Sequence, residues 1–300
     1  MANNKKSQQV EINTDLAMDI EQILNGGFAP LTTFLDKESL DSVLENMRLP
    51  TGEIWPIPIL FPKKNNEPIN SLNSLLLKFQ GHDFAVLDEP KTFEYDLDKL
   101  ITSFYGTNDE KHPGVQTSMK SPHIFITGKL RGISKLNKIL DINYLEPQDV
   151  KNIIEEKHWK SIVGFHTRNP PHGAHEYMHK SVLKNHDALL LHPVIGSKKK
   201  GDFTSEAIMH SYELYTEKFL PSDRTILTPL LTYSRYAGPR EAIFTAIVRR
   251  NYGCTHFIIG RDHTGVKNFY GKYDSQKIFR NFKDIDIEII PFREPFYCKK

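Results

Sequence analysis

An α/β unit with a mostly parallel sheet, preceded by a β-rich unit, is the fold class this chain predicts, on three observations. Beyond residue 158 short buried strands alternate with helices; before residue 135 short apolar runs are separated by turn residues; between them Lys135 to His158 is charged and helical in character. Strands that alternate with helices make parallel crossovers, which lay helices over both faces of a sheet. The chain divides accordingly into residues 1–158 and 159–300, with the connector packing on both parts, and 300 residues suffice for two cores.

Each element has its own warrant. In the first part Ile54 to Phe61 (IWPIPILF), Leu75 to Phe79, Asp83 to Leu87 and His123 to Gly128 read as strands, and Asp15 to Leu24 and Lys37 to Asn46 as helices. Ser161 to Phe165 (SIVGF) opens the second part as a short buried strand. The Pro170-Pro171 pair cannot sit inside a helix but suits the turn before one, and Ala174 to Lys184 follows with Tyr177, Met178, Val182 and Leu183 at helical spacing. Arg240 to Asn251 is a helix buried along Ile243, Phe244, Ile247 and Val248. Gly253 caps it, and Thr255 to Ile259 is the next strand.

Composition narrows the class. A net charge of +2 is too small to signal nucleic acid, and the two cysteines, Cys254 and Cys298, fit a reducing cytoplasm rather than a disulfide framework. No apolar run reaches membrane-spanning length, and the polar start MANNKKSQQ lacks the apolar core of a signal peptide.

The chemistry concentrates in two stretches. Phe165 to Glu176 reads FHTRNPPHGAHE, placing an arginine, an asparagine and two histidines where a strand runs into a helix. Unpaired N–H groups at a helix start favour phosphate oxygens, and His172 and His175, one turn apart, share a face. Two histidines could also bind zinc, but no third ligand is near and Arg168 points to anions. Residues 233–266 read YSRYAGPREAIFTAIVRRNYGCTHFIIGRDHTGV, with Gly260 to His263 just past a strand's carboxyl end, where open α/β sheets bind ligands. Two such corners can meet across one crevice and hold a polyphosphate.

These runs carry a resemblance. HTRNPPHGAHE is similar to the QTRNPxHxAHE signature of the sulfate adenylyltransferase (ATP sulfurylase) family, SRYAGPREA to its MRYAGPREA, and GRDHTG to its GRDHAG. Softer matches at Asn25 to Leu31, Tyr105 to Thr107, His112 to Val115, Leu191 to Gly196 and Pro291 to Arg293 extend it over nearly the whole chain.

The resemblance implies a β-rich PUA-like domain followed by a Rossmann-like nucleotidyltransferase domain of α/β type. It implies that ATP and sulfate give adenosine 5′-phosphosulfate and pyrophosphate. Sulfate is already a dianion, so this reaction needs charge compensation and alignment more than a general base. Carried over by position, Thr167, Arg168, Asn169 and Arg261 are the catalytic set. His172 and His175 orient the β- and γ-phosphates; Gly260, Asp262 and His263 lie on the adenosine side, with Pro295 beside adenine. His166, Arg168 and the backbone of Thr264 meet sulfate. Arg240 and Glu241 either join the site or simply begin their helix, and Lys198, Lys199 and Lys200 are either an anion-attracting loop or a solvated charge run.

Mg²⁺ is expected to travel with the ATP phosphates, with no metal ligands on the protein and no zinc, because only Cys298 could belong to the family's C-terminal cysteine cluster. No GxxxxGK[ST] run occurs, so no fused kinase is expected. A homodimer or higher assembly is implied, with no nucleic acid or membrane partner, in the cytoplasm.

Three departures stand out. His166 replaces the usual glutamine; if it were protonated, sulfate would bind more weakly as pH rises through its pKa. Ser234 replaces a methionine, a change expected to affect packing mildly. The chain ends at Tyr297-Cys298-Lys299-Lys300, short of the family's C-terminal region, which reads either as a truncation or as an unusually short natural form. Two other classes remain for comparison. An adenylyltransferase for a nicotinamide or pantetheine phosphate would share HxxH but not RYAGPRE and GRDH; a non-catalytic RNA or anion binder would show salt-dependent affinity without turnover.

Overall fold

The computed structural model describes residues 7–64, 69, 73–197, 201–261, 263, 265–266 and 268–293. Asp262, Thr264, Pro295, Cys298 and Lys198 to Lys200 lie outside the described residues.

The first part runs β1 (Ser7–Glu11), α1 (Thr14–Leu24), α2 (Lys37–Asn46), β2 (Phe61–Pro62), β3 (Ser74–Phe79), β4 (His82–Glu94), α3 (Leu97–Tyr105), α4 (Pro113–Ser118) and β5 (Ile124–Gly132). Its sheet has the order β1-β3-β4-β5-β2, antiparallel except where β1 joins β3. Side-chain caps explain where its helices start. Asn13 accepts from the Leu16 N–H at 3.0 Å, Asp36 from Ser39 at 2.8 Å, and Asp96 from Asp98 at 2.9 Å.

One expectation needs correction. IWPIPILF is not a strand over its length: Ile54 makes one isolated bridge to Arg48, and only Phe61–Pro62 pairs, with β5. Pro56 and Pro58 bring no N–H to a ladder, so the run packs its apolar side chains as an irregular segment, with Ile54, Trp55, Ile57 and Ile59 all buried. Conversely, the polar start contributes β1. An edge strand is held by backbone bonds, which its polar side chains do not prevent.

The connector is α5 (Leu136–Leu140) and α6 (Pro147–Glu156), and it touches both parts. Leu136 N–H donates to Glu21 of α1 at 3.0 Å, and Leu145 N–H to Thr228 at 2.8 Å.

The second part runs β6 (Ile162–Thr167), α7 (Gly173–Val182), β7 (Ala188–Pro193), α8 (Ser205–Phe219), β8 (Thr225–Leu227), α9 (Pro239–Asn251), β9 (His256–Ile259), α10 (Asp274–Lys277) and β10 (Glu288–Pro291). Its sheet is parallel throughout, in the order β10-β9-β6-β7-β8. The chain therefore builds outward from β6 to one edge, returns, and builds to the other from β9. The reversal between β6 and β9 opens a crevice outside their carboxyl ends.

Alternate strand residues face opposite cores. Val163, Phe165, Leu189, Leu191 and Ile258 pack with Met178 and Val182 of α7 and Ile208, Tyr212 and Tyr215 of α8. Ile162, Ala188, Leu190, Phe257 and Ile259 pack with α9, and that core continues without a break into the first part through Phe28, Trp55 and Phe244. There are two cores, but the line between them follows the parallel sheet rather than the expected domain division.

Candidate active site at the switch point

The turn 235–241 is built before it can serve a site. Glu241, fully buried at the start of α9, accepts the N–H groups of Arg235 at 2.9 Å and Ala237 at 3.0 Å. Gly238 has a φ of 52°, and a Cβ there would stand 2.5 Å from the Tyr270 ring, so glycine is required on both counts. Arg235 is buried against Asp19 of α1 in an ion pair, and its guanidinium lies over the rings of Tyr233 (4.3 Å) and Phe244 (4.8 Å). Arg240 donates to the carbonyls of Val43 (3.0 Å), Leu44 and Pro56 (3.3 Å). Of the two readings open for Arg240 and Glu241, the contacts of Arg240 are structural, clamping the first part to α9, whereas Glu241 both ties off the turn and lines the cleft that the turn faces.

That turn presents Tyr236 and Ser234 to a cleft of about 200 Å³ at the switch point, shared with His166, Thr167, Arg168, Asn169, His175, Gly260 and His263. β6 ends at Thr167, so the side chains that follow are delivered by the last strand residue and the loop. Thr167 Oγ1 accepts the Asn169 N–H at 3.2 Å and donates to the Asn169 carbonyl at 3.1 Å, folding the loop back on the strand. The Arg168 guanidinium rides 5.5 Å above the Tyr236 ring. Such stacking holds a cation at a cost in freedom already met before substrate arrives. Gly260 and Arg261 leave the carboxyl end of β9, the parallel neighbour of β6. The two expected corners are thus on the same edge of the sheet.

The histidines fall out differently from their spacing. His172 is the N-cap of α7, with extended backbone and no side-chain cap bond, rather than a residue of the helix. Its ring nonetheless stacks on His175 at 3.8 Å. His175 Nδ1 is 3.2 Å from the Tyr212 hydroxyl, and burial together with the neighbouring His172 brings its pKa down to about 4. One turn further, His179 Nδ1 meets the Tyr215 hydroxyl at 3.0 Å, and burial brings it down to about 3. His263 is held by Thr245 at 2.9 Å and is pushed down to about 3 by burial and the charge of Arg249. The rings of His175, His179 and His263 are neutral at pH 7, and each carries one N–H.

His166 does not fit the expected protonation. Burial first, and the positive charge of Arg249 next, hold it well below its ordinary value, so it has no proton to gain near neutrality. Ser234 is also corrected: it lines the cleft, so its replacement of methionine changes the wall of the site as well as packing. Tyr236 and Met178 line the cleft and Tyr212 and Arg249 stand behind it, against His175 and His166; the sequence did not mark any of the four as a site residue, because tertiary packing brings them there from different elements. Among the described residues no cluster of three histidine, cysteine, aspartate or glutamate side chains could hold a metal ion. The described donors around the cleft, Arg168, Asn169 and the imidazoles, suit oxyanions.

Comparisons with known proteins agree with this geometry. A family model described as ATP-sulfurylase matches residues 142–300, and one described as a PUA-like domain matches residues 1–135. The chain is 40% identical over 291 residues to a sulfate adenylyltransferase of Synechococcus sp. (strain JA-3-3Ab), covering 93% of this chain and 73% of that protein. It is 41% identical over 299 residues to that of Halothermothrix orenii, covering 97% and 78%. A hexameric APS kinase from Thiobacillus denitrificans shares the fold, with a TM-score of 0.72 at 19% identity over 96% of this chain and 51% of that one, so the chain spans about half its length. By family model and by relatives, the chain belongs to the ATP-sulfurylase family, with a PUA-like domain preceding its α/β domain.

Proposed function

We infer that the chain is a sulfate adenylyltransferase, joining ATP and sulfate to give adenosine 5′-phosphosulfate and pyrophosphate by in-line attack of a sulfate oxygen on the α-phosphorus. The observation that carries this is the meeting of the Arg168 corner and the Gly260 corner at one switch point, in a chain of this family. Both reactants are anions that repel, so fixed cationic and N–H donors lower the barrier by holding them in line and compensating the charge that builds on the phosphates. Arg168 is proposed to clamp sulfate with its forked N–H groups, helped by His166 and the Thr264 backbone. Asn169, His172 and His175 face the phosphates and stabilise departing pyrophosphate. Arg261, Gly260, Asp262 and His263 serve the nucleotide side, with Pro295 beside adenine. Thr167 shapes the loop that carries them.

Mg²⁺ is proposed to enter on the ATP phosphates, where it would neutralise charge. The ion would be held by phosphate oxygens and water. The domains are proposed as 1–158 and 159–300. A homodimer or larger assembly is favoured by the exposed Tyr177, Phe203, Leu214 and Phe219, and sizing by light scattering checks it. A cytoplasmic place is favoured by the free, buried thiol of Cys254. The activity is tested by incubating the chain with ATP, Mg²⁺ and a panel of acceptors and scoring pyrophosphate. Release with sulfate but not with nicotinamide or pantetheine phosphates is expected; the reverse selectivity would sink the reading.

A further inference from the structure

His166 has a partner that the mechanism above does not use. Arg249, in the last turn of α9, is fully buried and does not line the cleft. Its Nη2 donates to His166 Nδ1 at 2.9 Å and to the His192 carbonyl at 3.3 Å, and its Nη1 to the Thr245 carbonyl at 3.4 Å. All three acceptors are uncharged. The strand is made to admit this guanidinium: a Cβ on Gly164 would stand 2.6 Å from Arg249 Cγ. A guanidinium has only donors, so His166 Nδ1 must be the acceptor and the proton of the neutral ring must sit on Nε2. The other groups that face His166 add no negative charge. They are His263 beyond β9, with ring centroids 5.3 Å apart, His192 of β7, and Arg168 next in the chain.

We propose that Arg249 is a positioning residue that locks His166 in its neutral Nε2–H form, so that the ring offers sulfate a single fixed donor. The proposal rests on the reading that residue 166 contacts sulfate. A glutamine amide would also turn an uncharged N–H donor toward the anion there, which explains how a histidine can occupy the position. Had the ring been free to protonate, sulfate binding would change over the range in which histidine ordinarily titrates. Burial opposes that protonation first, and Arg249 adds to it by occupying Nδ1 with a donor and by holding a positive charge beside it. Burial brings Arg249 itself down only to about 9, so it remains a cation at neutral pH.

Two measurements on the full chain test this. In ¹⁵N-histidine spectra, with the His166 signals assigned by their loss in His166→Gln, the expected result is a protonated Nε2, a bare Nδ1 and no titration between about pH 5.5 and 8.5. A protonated Nδ1, or a midpoint inside that window, overturns the proposal. In steady-state assays of pyrophosphate release, Arg249→Met should raise the sulfate KM and make it pH-dependent relative to wild type. That KM should drop about tenfold as pH falls, beginning at a higher pH than in wild type, because a His166 freed of Arg249, though still opposed by burial, gains a charge-assisted bond to the anion. The dependence should vanish in Arg249→Met combined with His166→Gln. A flat profile in folded Arg249→Met, or a dependence that survives in the double variant, overturns the proposal. Should Arg249→Met not fold, the wild-type spectra decide alone. A sulfate KM unchanged in His166→Ala would instead refute the placing of sulfate at residue 166, and would leave the tautomer result standing.

Discussion

Arg168 is held before any substrate arrives, over the Tyr236 ring and at the lip of the cleft. Removing one preorganised donor to developing charge typically costs on the order of a hundred- to a thousandfold in turnover. Arg168→Ala should therefore lose that much kcat in the pyrophosphate assay, and Arg261→Ala a similar factor; near-normal release from either would remove it from the catalytic set. His172→Asn should lower kcat more than it weakens ATP binding, since the stacked His172–His175 pair is proposed to act on the leaving pyrophosphate. An equal change in kcat/KM and in ATP affinity would assign it uniform binding only. At this scale the sequence was most legible where a residue sits in a loop motif: His166, Thr167, Arg168, Asn169, His175, Gly260 and His263 line one cleft. It was least legible for Ser234 and Tyr236, whose place depends on a turn tied by Glu241.

α9 is the element on which the site depends. Its first turn carries Glu241 and Arg240, its middle Thr245 against His263, and its end Arg249 against His166. The helix is buried continuously from Glu241 to Arg249, which explains why its sequence shows no strong polar face. Glu241→Ala would orphan two buried N–H groups, each worth about 1–3 kcal/mol, and release the turn that presents Tyr236. Loss of several degrees of Tm together with loss of turnover is expected; a variant with normal Tm and low kcat would give Glu241 a direct chemical role instead. Arg235→Leu leaves Asp19 buried without its partner, at a cost of about 3–5 kcal/mol. Urea denaturation of Arg235→Leu beside Arg235→Leu/Asp19→Leu separates the pair's net worth from the cost of a stranded charge. The irregular IWPIPILF run makes the complementary point. Apolar content predicted its burial correctly, but backbone donors decide whether a buried run joins a sheet.

Across the whole molecule, burial of neutral histidines sets the response to acid. His175, His179 and His263 have folded pKa values of about 4, 3 and 3, below their ordinary 6.5. The unfolded chain thus binds more protons than the folded one below that ordinary value. Their contribution to stability is fully present above about pH 6.5 and is lost as pH falls toward the folded values. Asp19, Glu21 and Glu241, raised by burial, work in the opposite sense. The comparison that isolates the histidines is His179→Leu, buried away from the cleft: its Tm should fall less between pH 7 and pH 5 than that of wild type. A wild-type Tm that rises over that interval would contradict the assignment. Chelation offers a second test at this scale. EDTA should abolish turnover without moving the Tm of the protein alone, because the metal is proposed to belong to ATP; a lower Tm would indicate a protein-held ion.

By itself the sequence determined the fold class, the helices that begin near Asp15, Lys37 and Arg240, and the two loop motifs that carry the family. Those depend on local chemistry: a capping side chain, a proline at a first turn, a glycine where the chain must turn, an arginine beside a strand's end. Tertiary structure alone decided that Arg240 serves the scaffold, that one core crosses from the PUA-like part into the α/β part, and that His166 stands neutral against Arg249. The two polar contacts among these join residues 197 and 83 positions apart, meeting in a medium of low dielectric constant where the partner a group finds sets its charge and its proton.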